Sequence, residues 1–416
     1  MKYLLTFIAL ISSLALAACQ PQAEVVALPT LIDLNGTVTQ EAAETATAVA
    51  QLPPTRQPLP ATWTPSPPPA PATVPAVQAE SATPEQRSDG FIYYIFNNDS
   101  IVRLFADGSF EDLIMVGDMP QDLTIAPDGS LLAFSAQGNG SAREVFVLKT
   151  DGSYRQQVSC LGYARIIKPV WSPDSQTLAF GASQTVDGPV SIYTANIVGS
   201  GQCPSGNNQQ EIASLGSNRV NDLVWDSDGR RIYFTMAIDD FKASIFAADT
   251  GSHTFSPRLT YASGFGPDSS PAPDPLSHWL YYLKSTYNMD TKQVGGVLYQ
   301  FDRENLTPPI NEIEGADFFA TRLRWSPAGG YLLIETANAV FLLDRNTNST
   351  VEVVRDTTFP PQAAMSPDDS AVVYVNGGET NFTVQQIYRV SRIGDERQQL
   401  TFHGEGSINN PVWGAN

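Results

Sequence analysis

The chain has 416 residues, with 24 Lys and Arg against 43 Asp and Glu, giving a net charge of −19 at neutral pH. A surplus of that size and sign argues against binding nucleic acid and against docking on anionic lipid head groups. Three histidines and three cysteines leave little material for a His- or Cys-rich metal centre.

Met1-Lys2 is a short basic start, and Tyr3 to Ala18 is an apolar run interrupted by Ser12-Ser13. Sixteen residues are too few for a comfortable membrane span but suit the core of a secretory signal. The run ends in Leu16-Ala17-Ala18-Cys19, which resembles the bacterial lipobox. That resemblance implies cleavage after residue 18 and acylation of Cys19, which would hold the mature chain at a bilayer surface. The ordinary alternative is secretion with a free Cys19 thiol. Residues 19–87 form a Pro/Thr/Ala-rich stretch, with eleven prolines between Pro53 and Pro84. Such a composition cannot bury a core and favours extended, polyproline-like chain. At about 3.1 Å per residue the proline-rich part reaches on the order of 100 Å, so a disordered tether that lifts the following domain off the membrane is expected.

Residues 88–416 carry a recurring phrase of a strand, a tight turn and an alternating apolar strand. It reads APDGSLLAF from Ala126, SPDSQTLAF from Ser172, DSDGRRIYF from Asp226, APDPLSHWLYY from Ala272, SPAGGYLLI from Ser326 and SPDDSAVVY from Ser366. The position just before the turn holds Ile125, Trp171, Trp225, Pro271, Trp325 and Met365, and a last copy ends on Trp413. Pro presets φ for the turn, Asp folds its carboxylate back onto the backbone, and Gly accepts a positive φ. The residues after the turn alternate at the period of a strand. Third strands follow, among them EVFVLKTDG from Glu144 and AVFLLDRNT from Ala339. With a short fourth strand, each copy makes one blade of a propeller.

Counting closes the ring. GFIYYIF from Gly90 and SIVRLFADG from Ser100 read as the second and third strands of a blade that lacks its first. Asn409 to Trp413 reads as a first strand with nothing after it. Pairing the two termini removes both sheet edges and gives seven four-stranded blades in an all-β fold, with six or eight left open by the degenerate fourth copy.

On the Trp171–Phe180 phrase above all, residues 88–416 resemble the TolB-type, WD40-like propeller repeats of bacterial envelope proteins. The resemblance implies a propeller and an extracytoplasmic setting, and it leaves the activity open.

With Cys19 acylated, Cys160 and Cys203 remain, and an exported chain with an even remainder is expected to pair them. The propeller carries 37 acidic against 21 basic residues. Asp226-x-Asp228-Gly229 has the start of a calcium loop but lacks its distal Glu. There is no Gly-x-Ser-x-Gly elbow, and His253, His278 and His403 show no metal-ligand spacing. These absences lead to the expectation of no catalytic residue, no metal, no cofactor and no enzyme. The expected function is a lipid-anchored, monomeric binding or scaffold module for an envelope protein or glycan. The alternative is a metal-dependent, lyase-like carbohydrate-active propeller. Specificity is expected in the loops Gly199–Glu211 and Tyr287–Gly295, because loops on a rigid frame carry recognition.

Overall fold

The computed structural model describes residues 90–138, 140, 142–197, 209–262, 266–287, 294–306 and 312–415. Every regular element among them is a strand. The expected signal peptide, Cys19 and the tether lie outside the described residues.

Twenty-eight strands form seven antiparallel four-stranded sheets. Blade 1 takes β1 (Phe91–Phe96), β2 (Ser100–Phe105) and β3 (Glu111–Val116). Blade 2 is β4 (Gln121–Ile125), β5 (Leu131–Gln137), β6 (Arg143–Lys149) and β7 (Arg155–Gln157). Blade 3 is β8 (Arg165–Trp171), β9 (Thr177–Ser183), β10 (Ser191–Asn196) and β11 (Gln209–Ser214). Blade 4 is β12 (Val220–Trp225), β13 (Arg231–Ala237), β14 (Ala243–Asp249) and β15 (Thr254–Phe255). Blade 5 is β16 (Asp268–Pro273), β17 (Trp279–Tyr287), β18 (Val294–Asp302) and β19 (Ile313–Ala320). Blade 6 is β20 (Arg322–Trp325), β21 (Tyr331–Glu335), β22 (Val340–Asp344) and β23 (Thr350–Val354). Blade 7 is β24 (Ala363–Met365), β25 (Ala371–Gly377), β26 (Gln385–Ser391) and β27 (Gln398–Gln399). The last strand, β28 (Ile408–Gly414), returns to β1 as the innermost strand of blade 1. Its register sets Trp413 opposite Ile92 and Val412 opposite Tyr93, so the termini close the ring as the strand count requires.

The apolar alternation builds seven separate cores, one between each pair of neighbouring blades. Trp171, Trp225 and Trp413 are buried in three of them. Trp225 donates its indole N–H to the Val170 carbonyl of the preceding blade at 3.0 Å, and Trp325 does the same to Ala272 at 3.1 Å. Cross-strand aromatic pairs recur at one register: Phe134–Phe146, Phe180–Tyr193, Phe234–Phe246 and Tyr374–Tyr388, with centroids 5.6–5.9 Å apart. Such offset pairs add about 0.5–1.5 kcal/mol each beyond their buried area.

The turns behave as their chemistry requires. The Asp128, Asp174, Asp228 and Asp368 carboxylates each accept the N–H two residues on. Gly129, Gly229 and Gly329 sit at φ near +70° to +76°, whereas Ser175 and Asp369 take the same left-handed conformation at +60°. Those two side chains have a reason to be there. Ser175 Oγ accepts the Asp128 N–H and Asp369 accepts the Gly330 N–H, each tying its turn to the preceding blade.

One sequence expectation is corrected in blade 5. The N–H groups of Ser172, Asp226, Ser326 and Ser366 each donate to the carbonyl of the residue five positions on, and in blade 5 it is the Asp274 N–H that does so, to Trp279. The position before the turn is therefore Pro273, not Pro271. Pro273-Asp274-Pro275 imitates the repeat phrase two residues out of register, and the larger turn Asp274–Ser277 is the true equivalent.

Candidate functional site

The innermost strands β28, β4, β8, β12, β16, β20 and β24 surround the central channel. On five of them the register slips by one residue, so that two residues face one on the next strand. A bulge of this kind re-aims a side chain. The residue four positions before each turn start stands at this level: Asn410, Asp122, Lys168, Asp222, Ser270, Arg322 and Gln362. Asp122, Asp222, Ser270 and Asn410 hold φ between +52° and +56°, strain of the kind that collects at functional sites. The residues that follow in blades 2, 4 and 6 (Leu123, Leu223 and Leu323) turn into the cores between blades.

The ring mixes charges from opposite sides of the molecule. Asp122 and Lys168 of blades 2 and 3 both feel Arg322 of blade 6, and that interaction crosses the channel. Burial, and then Arg322, push the Lys168 ammonium down to about 8, against opposing pulls from Asp222 and Asp122. Arg324 and then burial bring Arg322 down to about 10. Burial raises Asp122 despite Lys168, Arg143 and Arg322. Glu335 of β21, itself 3% exposed, accepts Arg324 at 2.9 Å and the Ala363 N–H at 3.0 Å, while Arg322 stands 3.9 Å away. Ser135 and Thr235 hold the Glu335 position in blades 2 and 4, and there their hydroxyls lie 3.4 Å from Asp122 and Asp222.

Below this ring lies a cavity of about 220 Å³. Its walls come from the innermost strands of blades 6, 7, 1 and 2, with Arg324, Trp325, Met365, Val412, Trp413 and Ile125 among them. Arg324 thus belongs both to the cavity and to the charged ring.

The residues singled out from the sequence fall elsewhere. Cys160 is disulfide-bonded, and Cys203 lies outside the described residues. The buried Glu144 holds the loop around Cys160, accepting the Ser159 hydroxyl and the N–H groups of Leu161 and Gly162. The histidines are not brought together. His253 meets Gln210 at 3.1 Å, His278 packs on Trp279 with centroids 4.8 Å apart, and His403 lies 3.1 Å from the Tyr94 hydroxyl. Asp226, the first acid of the calcium-like segment, is occupied by Arg303 of the next blade at 2.7 Å. Most of both loops expected to carry specificity, residues 199–208 and 288–293, lies outside the described residues. The channel ring was missed, although its signal was present: a polar residue at one fixed offset before every turn.

No family model matches the chain. Among solved structures, the tricorn protease aligns with a TM-score of 0.52 at 12% identity, over 77% of this chain and 34% of that one. The β-propeller domain of the Trilobed protease from Pyrococcus furiosus aligns at 0.52 and 13% identity, over 76% and 95%. TolB from Acinetobacter baumannii is 17% identical over 79% of this chain and 81% of that one, at a TM-score of 0.47. A curated relative, an uncharacterized peptidase of Bacillus subtilis, is 30% identical over 66 residues, which is 15% of this chain and a tenth of that protein. The fold is a seven-bladed β-propeller. These findings overturn the expectation that the chain is not an enzyme. Propellers of this kind are parts of proteases, so a missing nucleophile elbow within the blades does not decide the matter.

Proposed function

We infer that this is an extracytoplasmic propeller, anchored through Cys19, that uses the ring-lined end of its channel to bind a protein or glycan of the cell envelope. The observation that carries the reading is the ring of seven polar positions, five of them on bulged strands, set above an apolar cavity. A closed ring with seven independent cores is a rigid frame, and binding groups on a rigid frame lose little entropy when they engage. A disulfide between Cys160 and Cys203 fits the same compartment. The Cys160 N–H already donates to the Gln209 side chain at 2.9 Å, six residues beyond Cys203. Cross-linking in intact cells, followed by capture of the tagged chain, tests the reading. One dominant envelope partner, lost on Asp222→Ala with Gln362→Ala and reduced on Cys19→Ala, is the expected result. Capture unchanged by the channel substitutions would overturn it.

A second reading draws on the protease propellers: the ring would admit substrate to a proteolytic assembly. Peptide hydrolysis that co-purifies with the full chain, and falls with the same channel substitutions, would favour it.

A further inference from the structure

Of the two cations of the ring, one has no anion in contact and the other has only a distant one. Lys168 makes no hydrogen bond and no ion pair within 4 Å among the described residues, and Arg322 has only the 3.9 Å approach to Glu335. Glu335 is already engaged by Arg324 and Ala363. Asp122 and Asp222, on the blades either side of Lys168, act on it at longer range. A half-buried cation without an acceptor is unfavourable in the empty fold, and an entering anion relieves it. At the turns the comparable buried charges are paired: Asp226 and Asp274 each hold an Arg from the next blade.

The surroundings narrow the anion. Asp122 and Asp222 would repel a second negative charge, so a monoanion fits better than a dianion. The adjoining cavity of about 220 Å³ is smaller than the roughly 300–1,000 Å³ of a typical drug-sized site. Its Trp325, Met365, Val412 and Trp413 walls call for a few apolar carbons. Arg324 joins the two parts, because it lines the cavity and also acts on Lys168 and Arg322.

The geometry points to a site for a carboxylate bearing a short apolar group, with the carboxylate between Lys168 and Arg322 and the apolar group against Trp325, Met365 and Trp413. A peptide's terminal residue and a short acyl chain share this chemistry. The assignment rests on the channel being the ligand-facing part of the propeller, but its test needs no envelope partner.

Calorimetric titration of the full chain with N-acetyl-leucine, N-acetyl-leucine amide and hexanoate is the test. Saturable binding of N-acetyl-leucine is expected, with the amide weaker by about tenfold or more, the usual loss when a charged hydrogen-bond partner is removed. Hexanoate binding as well as N-acetyl-leucine would assign an acyl source, and hexanoate binding much more weakly would assign a peptide source; either supports the site. Lys168→Met and Arg322→Met should each weaken the acid by about tenfold, while Lys168→Met unfolds no earlier than the unaltered chain. The site is overturned if the amide binds as tightly as the acid, if neither acid gives saturable heat, or if both substitutions leave the affinity unchanged. The acid–amide comparison uses the unaltered chain, so it stands whatever the variants do. An envelope partner still captured after the acids fail would overturn this site and leave the platform reading intact.

Discussion

The turn end and the ring end of this propeller use charge in opposite ways. At the turns, Asp226 and Asp274 are buried, and each meets an Arg of the next blade, Arg303 at 2.7 Å and Arg345 at 3.1 Å. In the ring, Lys168 and Arg322 are half-buried and meet no partner at such distances. The turns also show a substitution pattern within the chain itself. Where the turn begins with Ser172 the next blade offers Thr250, not Arg, at the matching site. The pattern teaches that an acid is retained at the turn start only where the neighbour supplies its guanidinium. Charges in the ring follow no such rule, as expected of groups kept for a ligand and not for the fold.

The largest effect should come from breaking the paired end. Asp226→Ala leaves Arg303, 8% exposed, buried without its carboxylate. Losing one partner of a buried pair costs about 3–5 kcal/mol, read as the shift in urea midpoint at constant slope. Replacing both members with the residues other blades use, Asp226→Ser with Arg303→Thr, should recover more than half of that loss. A double substitution as damaging as the single one would show that the pair is not the unit of stability. Asp274→Ala should cost less, about 1–3 kcal/mol, because Arg345 is a quarter exposed and water can replace its partner.

The seven blades, the turn chemistry and the closure of blade 1 by Trp413 were all legible in the sequence, because each rests on a short pattern repeated several times. Blade 5 was misplaced by two residues because Pro273-Asp274-Pro275 copies the turn phrase without being its equivalent. The ring was not legible for a different reason. Its seven positions hold seven contexts and six residue types, so repetition marks the offset but not the identity. Pairings such as Asp226 with Arg303 and Asp274 with Arg345 join residues of different repeats, and no local period announces them. The strand alternation after each turn was legible too, and its aromatic positions Phe134, Phe180, Phe234 and Tyr374 are buried in the cores between blades.

The unpaired end sharpens the comparison with a change of the opposite sign. Lys168→Met should leave stability unchanged or raise it by on the order of 1 kcal/mol or less, since water still screens a half-buried ammonium. The pH dependence fixes the cause. Burial and Arg322 lower Lys168 to about 8 in the fold, against 10.5 when unperturbed, so between these values the unfolded chain binds more protons. Stability attributable to Lys168 therefore rises with pH across that window. The penalty is whole below about pH 8 and gone above about 10.5. The gap between the Lys168→Met variant and the unaltered chain should shrink as pH rises from 8 to 10.5, measured by urea denaturation at each pH. A constant gap would mean that the methionine acts by packing, and that the ring is no more charged with purpose than the turns.

The smallest effect belongs to a pair that resembles the turn pairs on paper. Arg219 and Asp240 approach to 3.6 Å, but Asp240 is 95% exposed and Arg219 about half so. Solvent screens the attraction and both side chains lose rotamer freedom to hold it, so such pairs contribute about 0–1 kcal/mol. Arg219 also donates to the carbonyls of Asp239 and Asp240, which separates two contributions. Asp240→Asn should change stability by less than about 0.5 kcal/mol, and Arg219→Ala by somewhat more, through the lost carbonyl contacts. Distance alone would rank this pair near Asp274–Arg345; burial ranks it far below. If Asp240→Asn were as costly as Asp274→Ala, the contrast between the two ends would owe nothing to desolvation, and the lack of a carboxylate against Lys168 would lose its meaning as a binding signal.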